Sequence, residues 1–113
     1  MIAMSLSRIE KSWLAAYRKA VVKVQPGAVV HLSIFGSKAR GDSGPDSDLD
    51  VLLIIKDDAA GLKRELRRVG YLLAATGETV PSILVYTETE WEIRGRTGSR
   101  FRRNVERDEV RVL

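Results

Sequence analysis

The first half of the chain changes from helical to strand spacing of its apolar residues. Between residues 5 and 24 apolar side chains recur every three or four positions, which predicts an amphipathic helix. Ser7 with Glu10 three residues later has the pattern of a capping box near its start. Two strands are predicted next, over residues 28–35 and 49–55, because both segments are almost continuously apolar and rich in β-branched residues.

Side chains of a strand alternate between the two faces of its sheet. In the first strand this rule places His31 and Ser33 on one face. It places three apolar residues on the other face: Val30, Leu32 and Ile34. A packed, hydrogen-bonded histidine is the expected reading of His31, and a role in lining a site stays open.

The second half of the chain predicts a helix that opens at Asp57 or Asp58 and ends at Gly77. Four apolar residues are expected on its buried face: Leu62, Leu66, Val69 and Leu73. The remaining elements are predicted in chain order: a strand over 80–87, a short helix from Thr87 or Thr89, a loop over 94–99, helical turns over 101–106 and an edge strand over 110–113. The order predicts an α+β fold, a small mixed β-sheet with helices packed on it, in a single domain over residues 1–113.

Composition excludes several classes of function. The chain has no cysteine, so disulfides, thiolate zinc sites and cysteine catalysis are impossible. His31 is its one histidine, which excludes a histidine zinc cluster. No apolar run reaches the roughly 18 residues of a membrane span, and we expect a cytoplasmic protein. Most large aromatic residues are expected in the core or at an interface: Trp13, Tyr17, Tyr71 and Trp91.

The net charge of +4 is concentrated near the C-terminus. Residues 94–113 contain seven arginines and three acidic residues, while the preceding residues carry twelve charges of each sign. An anionic partner such as nucleic acid is one interpretation, and a solvated arginine-rich helix face is the other. Only Phe101 offers this segment an aromatic stacking surface, so nucleic acid is the less favoured interpretation.

The loop over residues 36–47 and the strand after it contain the residues with chemical potential. Asp48 and Asp50 are two positions apart at the start of a strand, so both carboxylates project from the same face. Two neighbouring carboxylates repel each other, and a divalent cation removes that repulsion. Mg²⁺ prefers carboxylates combined with phosphate oxygens and water, so a nucleoside triphosphate would complete this site.

The other end of the loop has residues suited to phosphate. Gly36 and Ser37 follow the first strand directly, where backbone N–H groups and a hydroxyl can approach an anion. Lys38 and Arg40 add positive charge that could meet the phosphates. The loop therefore predicts a phosphate site at its beginning and a metal site at its end.

This combination resembles the signature of the DNA polymerase β nucleotidyltransferase superfamily, and in particular its minimal members. Their pattern is Gly-Ser, Arg-Gly a few residues on, and Ser-Asp-x-Asp leading into an apolar strand. The matching residues are Gly36, Ser37, Arg40, Gly41, Ser47, Asp48 and Asp50. The later segments over residues 82–91 and 101–105 also look like those of small stand-alone members.

The resemblance implies a transferase that moves a nucleoside monophosphate, AMP from ATP above all, to a hydroxyl of a macromolecular partner. Asp48 and Asp50 would be catalytic and would hold Mg²⁺. Five residues would bind the nucleotide: Gly36, Ser37, Lys38, Arg40 and Ser47. Small members are often encoded beside a helical HEPN-type partner and act as its antitoxin, so such a partner or a second copy of the chain is expected.

One feature departs from the family pattern. Active members supply a third carboxylate from the strand expected here over residues 80–87, and that segment contains no acid. Ser82 or Leu84 occupies the expected position, while Glu78, Glu88 and Glu90 only flank the strand. A missing general base would cost about 10²–10⁴-fold in rate. The alternative function is therefore a catalytically degenerate binding module that neutralises its partner.

Overall fold

The structure is a computed structural model that describes residues 5–44 and 46–113. Four strands form one sheet in the order β3-β2-β1-β4. The helices and strands follow one another as α1 Arg8–Val24, β1 Val29–Phe35, α2 Gly36–Arg40, β2 Leu49–Ile55, a 3₁₀ turn Asp57–Leu62, α3 Lys63–Ala74, β3 Pro81–Thr87, α4 Glu88–Arg96, α5 Arg100–Asp108 and β4 Val110–Arg111.

The sheet is mixed, as the sequence predicts. β2 pairs antiparallel with β1 and parallel with β3, and the short β4 pairs antiparallel with β1. In this register Asp50 has Phe35 as its partner on β1 and Ser82 as its partner on β3. The register therefore aligns Asp50, the acid of β2, with the end of β1 and the start of β3.

Helices α1 and α3 cover one face of the sheet and bury the larger core. Tyr17 is fully buried there, and its hydroxyl donates a hydrogen bond to the carbonyl of Leu66 at 2.6 Å. The Trp13 indole donates to the carbonyl of Gly70 at 3.0 Å. On the opposite face α4 and α5 bury a smaller cluster, to which they contribute Trp91 and Val105. The prediction that Trp13, Tyr17 and Trp91 are buried is confirmed.

Helix starts follow the predicted chemistry in two places and differ in a third. The capping box predicted at Ser7 is present, and Thr87, predicted to open the short helix, forms a second one. Each side chain accepts a hydrogen bond from the backbone N–H three residues later. The prediction that Asp57 or Asp58 caps the second long helix is wrong, because a 3₁₀ turn precedes α3 and no side chain caps it. Asp57 instead accepts a hydrogen bond from the backbone N–H of Thr89 at 3.0 Å.

Two predictions of residue environment are also wrong, those for Val30 and Leu73. A β-bulge between Val29 and His31 places Val30 on the face of the smaller core, away from Leu32. Leu73, expected on the buried face of the helix, is 42% exposed in the last turn of α3. Tyr71 is 43% exposed and accepts a hydrogen bond from the backbone N–H of Ile83 on the outer strand.

The C-terminal helices are longer than the sequence predicts, since α4 continues to Arg96 and α5 spans nine residues. Likewise the loop predicted over 36–47 opens with the short helix α2. Within residues 5–44 and 46–113, no helix is long and apolar enough to cross a bilayer.

Candidate functional site

Pairing of β1 with β2 brings the Gly-Ser turn against the acid pair. Phe35 is the register partner of Asp50, so Gly36 lies beside that carboxylate. The backbone of Gly36 has φ +75°, and a β-carbon built there would overlap the Asp50 carboxylate and lie 3.2 Å from its Cγ. Only glycine permits both the positive φ and this close approach. The two ends of the predicted motif therefore meet in space.

Asp50 is a half-buried carboxylate in a mixed electrostatic environment. Burial raises the pKa of Asp50, the neighbouring charge of Asp48 raises it further, and Arg40 opposes both effects. Asp48 is exposed and lies two positions before Asp50. Two carboxylates this close form a donor set that suits Mg²⁺ together with phosphate oxygens and water. The residues present thus fit the metal that the sequence predicts.

The third acid expected from β3 does not join this pair. Ser82 is the register partner of Asp50, and Leu84 and Tyr86 follow it on the same face of the sheet. Glu90 is engaged elsewhere, since it caps α4 and lies 2.6 Å from the Lys63 ammonium. Among the residues that the structure describes, no group of three or more His, Asp or Glu side chains could hold a metal ion.

Lys38 and Ser47 lie on the α1 side of the loop. The Lys38 ammonium is 3.1 and 3.2 Å from the two carboxylate oxygens of Glu10, and both side chains are almost buried. Ser47 accepts a hydrogen bond from the backbone N–H of Gly44 at 3.0 Å. Both residues line a cavity of about 380 Å³ that neither Asp48 nor Asp50 lines. Ser47 directly precedes Asp48, whereas Lys38 is already paired with a carboxylate of α1.

Arg40 lies near Asp50, but its guanidinium is also paired with two other carboxylates. Its guanidinium lies 3.2 Å from the carboxylate of Asp42 and 3.3 Å from that of Asp108 on α5. It is also close enough to lower the pKa of Asp50. Arg40 thus connects the motif loop to α5, a contact between residues 68 positions apart that no local pattern indicates.

The sequence profile of the nucleotidyltransferase domain family matches residues 14–108. The chain belongs to this family. A crystal structure of a Sulfolobus solfataricus protein described as a candidate nucleotidyltransferase has the same fold, with a TM-score of 0.53 and 23% sequence identity. The match covers 88% of this chain and 76% of that one. A search of curated protein sequences gives no significant match.

These findings confirm the predicted resemblance and the α+β fold class, and they support nucleotidyl transfer as the function of this nucleotidyltransferase domain.

His31 stands apart from the site. Its Nε2 lies 2.6 Å from the Glu109 carboxylate. Its register partner Ile54 is four positions along β2 from Asp50, or about 13 Å at the rise of a strand.

An aromatic cluster next to the acid pair was missed by sequence reasoning. The ring of Phe101 on α5 lies 5.7 Å from that of Phe35 and 6.4 Å from that of Tyr86. The guanidinium carbon of Arg94 lies 4.8 Å from the centre of the Tyr86 ring and 5.8 Å from that of Phe101. Alternation along β3 places Tyr86 on the same face as Ser82, but only the packing of α4 and α5 brings the other residues to it.

Proposed function

We propose that this nucleotidyltransferase domain uses Mg²⁺ to transfer AMP from ATP to a hydroxyl of a macromolecular partner. The observation that carries the proposal is the contact of the Asp50 carboxylate with the Gly36 backbone, beside Asp48. A phosphate group at Gly36 and Ser37 and a cation at the two aspartates would then touch each other. Neither half of the site would need to move to reach the other.

The reaction requires one bond to form and one to break. The acceptor oxygen bonds to the α-phosphorus, the bond from that phosphorus to the pyrophosphate oxygen breaks, and the acceptor proton leaves to water. Magnesium held by Asp48 and Asp50 would neutralise charge on the phosphates and align them for in-line displacement. Gly36 and Ser37 would hold the β- and γ-phosphates through backbone N–H groups and the serine hydroxyl.

A second candidate function is supported by the β3 register. Ser82 stands where the third acid is expected, so this face offers no carboxylate from β3 to remove the acceptor proton. The chain would then act as a catalytically degenerate binding module or antitoxin that neutralises a helical HEPN-type partner. We place this second, because the Gly36–Asp50 contact that a triphosphate needs is intact.

Transfer of label from ATP labelled at the α-phosphate tests the first function. The purified chain is incubated with Mg²⁺, labelled ATP and the protein encoded beside it, and covalent labelling is measured. We expect labelling that Asp48→Asn abolishes and that Asp46→Asn, a change to an exposed acid in the same loop, leaves intact. A stable complex without labelling, unaffected by Asp48→Asn, would support the second function instead.

Ser82→Asp provides a complementary test. The new carboxylate would lie opposite Asp50 in the β2–β3 register. If proton removal limits the rate, this variant should gain up to about 10²–10⁴-fold in labelling, the range that a positioned base contributes. Ser82→Asn controls for size without charge. An unchanged rate in both variants would mean that the missing acid does not limit transfer.

A further inference from the structure

Arg94 is held on two aromatic rings on the same face of the sheet as Asp50. We call Tyr86 and Phe101 the aromatic shelf, because the Arg94 guanidinium carbon lies 4.8 Å from the centre of the Tyr86 ring and 5.8 Å from that of Phe101. Contact with aromatic rings restricts a guanidinium and leaves the N–H donors that point away from the rings available to a ligand. Arg94 is half-buried, so it has already lost much of its rotamer freedom and contact with water.

No acidic residue neutralises this arginine. Within residues 5–44 and 46–113, no carboxylate oxygen lies within 4.0 Å of the Arg94 guanidinium. The two basic residues that the sequence assigns to phosphate are engaged: Lys38 pairs with Glu10, and Arg40 pairs with Asp42 and Asp108. Arg94 thus offers a partly desolvated positive charge that no described acid offsets.

Arg94 shares a face of the sheet with Asp50 but lies towards Tyr86, the register partner of Ile54, so it would meet a part of the ligand that extends away from the acid pair. Phe101 contacts the ring of Phe35, the register partner of Asp50, at 5.7 Å and the Arg94 guanidinium at 5.8 Å. The distance from the Arg94 guanidinium carbon to the centre of the Phe35 ring is therefore at most the sum of these two distances. Between Asp50 and Tyr86 the β3 face presents Ser82 and Leu84, so no carboxylate on that strand would repel an anion.

We propose that Arg94 binds a phosphate group of the nucleotide substrate through its guanidinium fork. The proposal rests on the proposed function, since it needs a nucleotide at Asp48 and Asp50. A guanidinium matches phosphate oxygens with two parallel hydrogen bonds, and a fixed plane lowers the entropy lost on binding. Arg94 would thereby contribute the positive charge that Lys38 and Arg40 share with carboxylates.

Binding of MgATP and of magnesium tripolyphosphate, measured by calorimetry on the full chain, tests the proposal. Arg94→Gln should weaken both ligands about tenfold, the effect of losing one charge-assisted contact at a partly exposed site. Arg94→Lys keeps the charge and loses the fork, so we expect a smaller loss. Arg96→Gln removes an exposed arginine of the same helix and should change affinity less than about twofold. Melting curves ensure that every variant is folded at the temperature of measurement.

Three other outcomes would contradict the proposal, each in a different way. If the unaltered chain binds MgATP and Arg94→Gln binds it equally well, Arg94 makes no contact and only this inference fails. If Arg94→Gln weakens MgATP but leaves tripolyphosphate unchanged, the residue acts on the nucleoside and the phosphate assignment is wrong. If the unaltered chain binds neither ligand, the proposed function fails together with this inference.

Discussion

Replacing Gly36 by alanine separates the cost of backbone strain from the loss of the site. Gly36 has φ +75°, a conformation that costs an alanine about 1–2 kcal/mol. The added β-carbon would also overlap the Asp50 carboxylate. Because that carboxylate is the far end of a short side chain, Asp50 can rotate away at little further cost in stability. The rotation removes a metal ligand, so the larger effect should be on MgATP binding.

Gly27→Ala is the matched control. Gly27 has φ +80°, and its nearest contact for a new β-carbon is the Lys56 ammonium at 4.0 Å, far from the acid pair. Both variants should melt about 4–8 °C lower, at roughly 4 °C per kcal/mol for a domain of this size. The difference between them should therefore appear in ligand binding and not in the melting of the free chain.

Thermal melting with MgATP measures that difference. At a concentration of 100 times the dissociation constant, the ligand should stabilise the unaltered chain and Gly27→Ala by about 2.7 kcal/mol. At the same concentration a tenfold weaker Gly36→Ala would gain only about 1.4 kcal/mol, and a complete loss of binding would give no shift. Equal shifts in Gly36→Ala and Gly27→Ala would refute the idea that the Gly36–Asp50 contact forms the site.

Two further predictions concern the charges around the site. Burial and Asp48 raise the pKa of Asp50, so its ionised form destabilises the free chain at neutral pH, and this cost disappears as pH falls through the raised pKa towards the ordinary value of 3.8. Asp50→Asn should therefore raise the melting temperature of the free chain at pH 7, gain less near pH 4 and lose the shift with MgATP; a gain independent of pH would contradict this. Lys38→Met leaves the almost buried Glu10 without its cation and should cost about 3 kcal/mol in denaturant unfolding, while MgATP affinity should change less than about threefold. A tenfold loss of affinity would instead support the phosphate-binding role predicted for Lys38.

Local patterns were sufficient to predict most elements. The Ser7–Glu10 capping box and the apolar spacing after it predict α1, and the apolar runs predict β1 and β2. These features depend on residues a few positions apart. The departures have causes that such spacing does not contain: the bulge that moves Val30 to the other face is set by cross-strand pairing. Leu73 follows the helical period of the buried face, yet it is 42% exposed in the last turn of α3.

The candidate site divides in the same way. Strand alternation predicts that Asp48 and Asp50 share a face, although β2 begins only at Leu49. The Gly-Ser motif predicts the phosphate site at the other end of the loop. The ion pair of Lys38 with Glu10 was missed, because Glu10 belongs to α1 and no pattern in the loop indicates this contact. The aromatic shelf was missed for a similar reason, since Tyr86 and Phe101 meet only when α5 packs on the sheet.

The charges on the site face favour one cation with a bound anion over a pair of cations. A second metal ion normally needs a third carboxylate, and Ser82 occupies that position. Replacing a carboxylate by a serine removes one negative charge, and Arg94, which no described acid neutralises, adds a positive one on the same face. Both changes make the face more favourable to a triphosphate and less favourable to a second divalent ion. The departure from the family pattern on β3 and the position of Arg94 on α4 therefore have one electrostatic consequence, even though they belong to separate elements.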